Sequence, residues 1–244
     1  MSETPVVADE VVTKAIVRYL DLPFGAGPAA MITLDNGFDH TKPNSFGPGG
    51  LKSIDEALDE VSTRTDLAAV CLTGKPFIFA VGADLTAVPQ ATERSQALAL
   101  GKEGHRVFNR FSELTVPTFA FINGAAMGGG LEIALHCNYR SISADAAAIA
   151  LPECFLGLVP GWGGTYLVPN LIGADKAVTV IIANARADCE LSHSALLWLA
   201  PVMPPRRRRC CRLRRPLVPG RTSPGPNSHH PCDIRLSQAW STGS

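Results

Sequence analysis

Apolar strand-like runs that alternate with amphipathic helical ones predict an α/β fold with at least partly parallel sheets. Two kinds of segment carry that expectation. LAAVCLTG (67–74) and PTFAFING (117–124) are short and almost wholly apolar, as strands buried on both faces are. LKSIDEALDEVSTR (51–64) instead places Leu51, Ile54, Leu58 and Val61 at spacings of three and four, the period of an amphipathic helix.

The other elements follow in order. VTKAIVRYLDLP (12–23) and AAMITLDN (29–36) alternate apolar and polar residues around Pro-Phe-Gly-Ala-Gly-Pro and predict two strands joined by a turn. FIFAVGADL (77–85) is an apolar run that breaks at Gly82. From Thr92 to Leu114 the pattern is helical, with Leu98, Val107, Phe108, Phe111 and Leu114 as candidate core residues. LEIALHC (131–137) predicts a helix after glycines, YRSISADAAAIALPE (139–153) two strand fragments, and 160–184 a glycine-rich turn followed by helical segments.

The 244 residues suffice for one large domain or two small ones. No apolar run approaches the roughly 20 residues needed to span a bilayer, and MSETPVVADEVV lacks the layout of a signal peptide. Seven cysteines, none at C-x-x-C spacing, fit small residues in a reducing compartment rather than a zinc site. A cytoplasmic protein without a metal is expected.

Two stretches carry chemistry. AVGAD (80–84) and GAAMGGGLE (124–132) each end an apolar strand in glycines, which let a backbone approach a ligand and turn its N–H groups outward. A helix starting beyond such a turn adds unpaired N–H donors and a positive dipole end. Together the two could hold an oxyanion; singly, each reads as an ordinary turn. The G-x-G-x-x-G spacing of a dinucleotide site is absent. Glu132 falls in the first helical turn and Glu153 follows Pro152. Taken alone, they are a helix-end charge and a loop residue; beside an oxyanion site, paired carboxylates perform acid and base steps.

VGADL, INGAAMGGGLEIAL and LPECFLGLVPGWGGT, in that order, resemble the enoyl-CoA hydratase/isomerase (crotonase) family over roughly Thr13 to Ala187. PGWGGTYLVPNLIGADKA is most similar to the hydratase portion of multifunctional fatty-acid-oxidation α-subunits, although Tyr166-Leu167 stands where many stand-alone hydratases have Gln-Arg. The resemblance implies a spiral of ββα turns, and an oxyanion hole formed by the N–H groups of Val81 and Gly129. It implies that Glu132 and Glu153 hold the attacking water, and that Ala80, Gly82, Ala83, Asp84, Gly128 and Trp162 line the substrate. The expected reaction is hydration of 2-trans-enoyl-CoA to 3-hydroxyacyl-CoA, with 3,2-enoyl isomerisation or a non-catalytic scaffold as alternatives. No cofactor is expected, coenzyme A being part of the substrate, and a homo-oligomer (trimer or hexamer) is. Phe77, Phe79, Leu85, Phe155 and Trp162 are candidates for an acyl pocket or equally for core packing; His105 and His136 carry no motif and read as structural or surface residues.

The composition changes after Asp188. Up to there 13 Lys+Arg stand against 20 Asp+Glu; from Cys189 onward there are nine Arg, no Lys and two acids, with eight of the 19 prolines. The family's C-terminal helices are not recognisable in 189–244. An out-of-frame translation of a GC-rich gene is the preferred reading of that stretch, ahead of a disordered tail and of a basic arm for nucleic acid. The expected domains are thus a core, 1–188, and an Arg/Pro-rich tail, 189–244.

Overall fold

The computed structural model describes residues 10–85 and 93–182. The tail discussed above lies outside them.

Strands β1 (Lys14–Leu22) and β2 (Gly27–Asp35) form the expected antiparallel pair, and α1 (Pro48–Ser62) follows. Thereafter the chain repeats one pattern. β3 (Ala69–Gly74) and β4 (Phe77–Ala80) precede α2 (Arg94–Glu113); β5 (Thr118–Ile122) and β6 (Gly124–Met127) precede α3 (Gly129–His136). β7 (Tyr139–Ile142) and β8 (Ile149–Ala150) precede a 3-10 turn (Pro152–Leu156), then α4 (Gly164–Ile172) and α5 (Ala174–Ile182). The first strand of each pair enters a five-stranded sheet ordered β1-β2-β3-β5-β7, and the second a three-stranded sheet ordered β4-β6-β8. Apart from β1–β2, every pairing within both sheets is parallel. A chain that gives one strand to each sheet and then a helix, three times over, is the spiral of ββα turns expected above.

Changing sheets within a few residues needs tight corners, and Asn123 ties two of them together. Its Oδ1 accepts the Gly74 N–H at 3.0 Å and its Nδ2 donates to the Lys75 carbonyl at 2.8 Å. No side chain fits at Gly124, where a Cβ would meet the Phe77 carbonyl oxygen at 2.0 Å.

Burial follows the periodicity. Leu51, Ile54, Leu58 and Val61 of α1 lie in the core with Val107, Phe108 and Phe111 of α2, each worth roughly 1.5–3 kcal/mol of burial. Leu98 departs from expectation: it is exposed, on the side of α2 turned away from Val107, and Leu114 is only partly buried. The α1 N-terminus has no side-chain cap of its own; Glu10 accepts the Gly49 and Gly50 N–H groups, both at 2.9 Å.

Helix α3 is buried along its whole length, Gly129 to His136. Its two ionisable side chains, Glu132 and His136, therefore need partners inside the protein, and a buried carboxylate is costly without them.

Candidate active site

The two glycine-rich turns meet. Gly82 has φ +97°, and a Cβ there would sit 2.9 Å from the Gly129 nitrogen. Only glycine combines that backbone conformation with that approach.

The segment holding Gly82 is bulged. Val81 N–H donates to the Asn44 carbonyl at 2.8 Å, Phe46 N–H to the Gly82 carbonyl at 2.8 Å, and Asp84 N–H to the Phe46 carbonyl at 3.0 Å. In parallel pairing these bonds set Asn44 beside Ala80 but Phe46 beside Ala83, so two steps on one side match three on the other. The Val81 N–H, expected to face the ligand, is thus turned to Asn44 and engaged. Two N–H groups here have no partner among the described residues, those of Gly82 and Ala83. The Gly129 N–H, at the first position of α3, likewise has none there. The unengaged donors around this turn therefore include those of Ala83 and Gly129, on the two sides of Gly82.

Both glutamates come to the same place. Glu132 Oε1 accepts the N–H groups of Trp162 and Gly164, each at 2.8 Å. Burial pushes its carboxyl up to about 7, with the charge of Glu153 adding to the effect and the two backbone donors opposing it. Glu153 extends from the 3-10 turn to Gly128: a Cβ on Gly128, which has φ +53°, would lie 2.9 Å from Glu153 Oε1. Its Oε2 is buried without a partner among the described residues, and burial raises its carboxyl too.

The remaining expected residues divide. Ala80 is fully buried beneath α3, its carbonyl 2.0 Å from where a Cβ on Gly130 would be. Asp84 is half-buried beside the bulge. Trp162 does not face a ligand with its ring: the indole is wedged between α2 and α3, where a Cβ on Gly104 would come within 2.3 Å and one on Gly129 within 2.4 Å. It stands edge-on to Phe108, with ring centres 5.3 Å apart. Phe79 is core as well, whereas Phe77, Leu85 and Phe155 are exposed and so free to meet an apolar ligand.

His136 escaped the sequence reading as a site residue. Burial holds it near 4, so it is neutral at ordinary pH. Its Nε2 meets the Trp162 carbonyl at 2.8 Å, and since a carbonyl only accepts, that nitrogen carries the hydrogen. The signal was its position four residues beyond Glu132 on the same apolar helix. Two free N–H groups beside two desolvated carboxyls can stabilise an oxyanion while a proton enters and another leaves.

A family model described as enoyl-CoA hydratase/isomerase matches residues 28–190. Among curated proteins, the chain is 40% identical over 143 residues to the fatty acid oxidation complex subunit alpha of Pseudomonas putida, and 37% identical over 149 residues to that of Shewanella baltica. These alignments cover 58% and 60% of the chain, which spans about 20% of either relative's length. Among solved structures, enoyl-CoA hydratase from Bacillus anthracis superposes with a TM-score of 0.61 at 26% identity, over 72% of this chain and 67% of that one. Pseudomonas aeruginosa DspI superposes with a TM-score of 0.62 at 26% identity, over 81% and 79%.

Proposed function

The chain belongs to the enoyl-CoA hydratase/isomerase family, and from that premise we propose that it adds water across the double bond of 2-trans-enoyl-CoA thioesters to give 3-hydroxyacyl-CoA. The observation that carries this reading is the pair of desolvated carboxyls, Glu132 and Glu153, in the site where the N–H groups of Ala83 and Gly129 have no partner among the described residues. Ala83 replaces Val81 as the proposed first donor, because Val81 is bonded to Asn44.

In the proposed reaction the thioester oxygen accepts hydrogen bonds from Ala83 and Gly129. Glu132, ionised and held through Oε1, takes a proton from water as the water oxygen bonds to Cβ. The π electrons move toward the thioester as an enolate, and protonated Glu153 gives its proton to Cα. Glu132 ends protonated and Glu153 ionised, so the pair exchanges one proton with solvent before the next turn. Two neighbouring carboxyls that both resist ionisation suit a site that begins with one proton between them.

The reaction as written uses no metal or redox group. Phe77, Leu85 and Phe155 offer apolar surface to the acyl chain. A cytoplasmic homo-oligomer remains our reading of the protein's state; among the described residues no helix is long and apolar enough to cross a membrane.

Hydration of crotonyl-CoA by the purified 244-residue chain tests the proposal, with Glu153→Gln as control. Turnover that the control loses is the expected result; a folded sample with none would overturn it. Glu132→Gln assayed on a 3-enoyl-CoA separates the rival activity, since isomerisation needs only the later glutamate and would survive.

A further inference from the structure

The hydratase reading leaves His136 without a role, yet its surroundings are specific. Gly129, Glu132 and His136 share one face of α3, and all three grip the same residue. The indole of Trp162 lies over Gly129, while the Trp162 backbone N–H donates to Glu132 Oε1 and the Trp162 backbone carbonyl accepts from His136 Nε2. The following residue, Gly163, has φ +125°, and a Cβ there would sit 2.5 Å from His136 Nε2, so the loop is shaped to the imidazole. His105 and Phe108 stand in T-shaped contact with the imidazole, with ring centres at 5.9 and 6.3 Å.

A requirement for packing alone does not explain the residue. His136 Nδ1 is buried with no partner among the described residues, a cost that Leu or Phe at this position would avoid. What an apolar side chain cannot do is donate to the Trp162 carbonyl, next to the residue's own N–H across Cα.

We infer that His136 is a positioning residue for Glu132: by holding the Trp162 carbonyl it keeps the Trp162 N–H on Glu132 Oε1 and so directs the carboxylate at the water. The inference rests on the hydratase reading. It gives the GWGG loop a task in this chain, which is to carry the donors that orient the base.

The test compares His136→Leu, which removes the donor, with His136→Gln, which keeps one. The titratable groups facing the pair are Glu153, from the 3-10 turn, against Glu132, and His105, from α2, against His136. Backbone donors favour the ionised carboxylate, so a loosened Trp162 N–H raises the Glu132 carboxyl and moves the acid limb of kcat to higher pH. With crotonyl-CoA, His136→Leu should lose about tenfold or more in kcat, with KM within about threefold, while His136→Gln recovers most of the rate and the wild-type limb. Unchanged kcat and limb in His136→Leu overturn the inference, as does an equal loss in both variants. Should His136→Leu fail to fold, nitrogen NMR of the wild-type imidazole decides. The Nε2-protonated tautomer is expected between about pH 6 and 8, and the Nδ1 tautomer overturns the inference. A folded wild type without turnover sinks the hydratase reading itself, and this inference with it.

Discussion

The backbone N–H of Val81 donates to the carbonyl of Asn44 at 2.8 Å. That bond fixes which amides near Gly82 face outward, because the bulge beyond it leaves the Gly82 and Ala83 N–H groups, Ala83 being the proposed donor, without a partner among the described residues. Replacing single amides by esters separates the two positions. An ester at Ala83 removes a donor the fold does not use; we expect kcat for enoyl-CoA hydration to fall about a hundredfold or more, with the melting temperature nearly unchanged. An ester at Val81 removes the bond to Asn44 and should instead cost stability, about 1 kcal/mol, with a smaller loss of rate. The opposite pattern would return the donor role to Val81.

Glu132 links activity to stability through its titration. Its carboxyl has an ordinary value of 4.5 and stands near 7 in the folded protein. A carboxyl raised by folding favours the native state fully below the unfolded value and loses that contribution as pH rises through the folded one. Gln at this position does not titrate, and its carbonyl oxygen can still accept the Trp162 and Gly164 N–H groups. Glu132→Gln should therefore match the wild type in urea unfolding near pH 4.5 and exceed it at pH 8, by on the order of 3 kcal/mol. The same variant should not hydrate crotonyl-CoA. Equal stabilities at pH 8 would show that Glu132 ionises in the native state without penalty.

Much of this was legible from residue types alone, and the misses share a cause. Periodicity located α1, the core of α2 and the apolar strands, because burial on one face or on both leaves a direct mark on the sequence. The glycine turns and both glutamates were visible as motifs, and the two glutamates come together in the structure. The orientation of Val81 was not visible, since it depends on pairing with Asn44–Phe46, a stretch that reads as loop. Trp162 looked like a pocket residue because an aromatic side chain in a glycine-rich turn is compatible with exposure. Only the packing of α2 against α3 shows that Gly104 and Gly129 make room for it.

That packing yields a prediction of its own. The Trp162 ring touches the glycine that carries a proposed oxyanion donor, and its peptide touches the proposed base. Trp162→Ala should leave a cavity and cost about 3–5 kcal/mol, lowering the urea midpoint. Trp162→Phe keeps the edge-on contact with Phe108 and should cost less than half as much, with most of the activity retained. If Trp162→Ala unfolded at the wild-type midpoint, the wedge would have no structural weight.

The last prediction concerns the loop behind the bulge. Lys75 is 4% exposed, and its Nζ donates to the Phe38 carbonyl at 2.9 Å, the Lys42 carbonyl at 2.6 Å and the Oδ1 of Asn36. The Asn36 N–H donates to Asn44 Oδ1 at 3.1 Å, and Asn44 Nδ2 donates to the Leu34 and Phe79 carbonyls at 2.8 and 3.1 Å. The segment that receives the Val81 and Asp84 N–H groups is therefore linked, through Asn44 and Asn36, to one buried ammonium. Lys75→Met fills similar space but strands three acceptors, each lost bond costing about 1–3 kcal/mol where the group stays buried. We expect a clear drop in the urea midpoint, faster hydrogen exchange at the Val81 and Asp84 amides, and a lower kcat because the Ala83 N–H loses its fixed direction. Wild-type exchange at Val81 and Asp84 in a folded Lys75→Met protein would show that the bulge holds its shape without the loop.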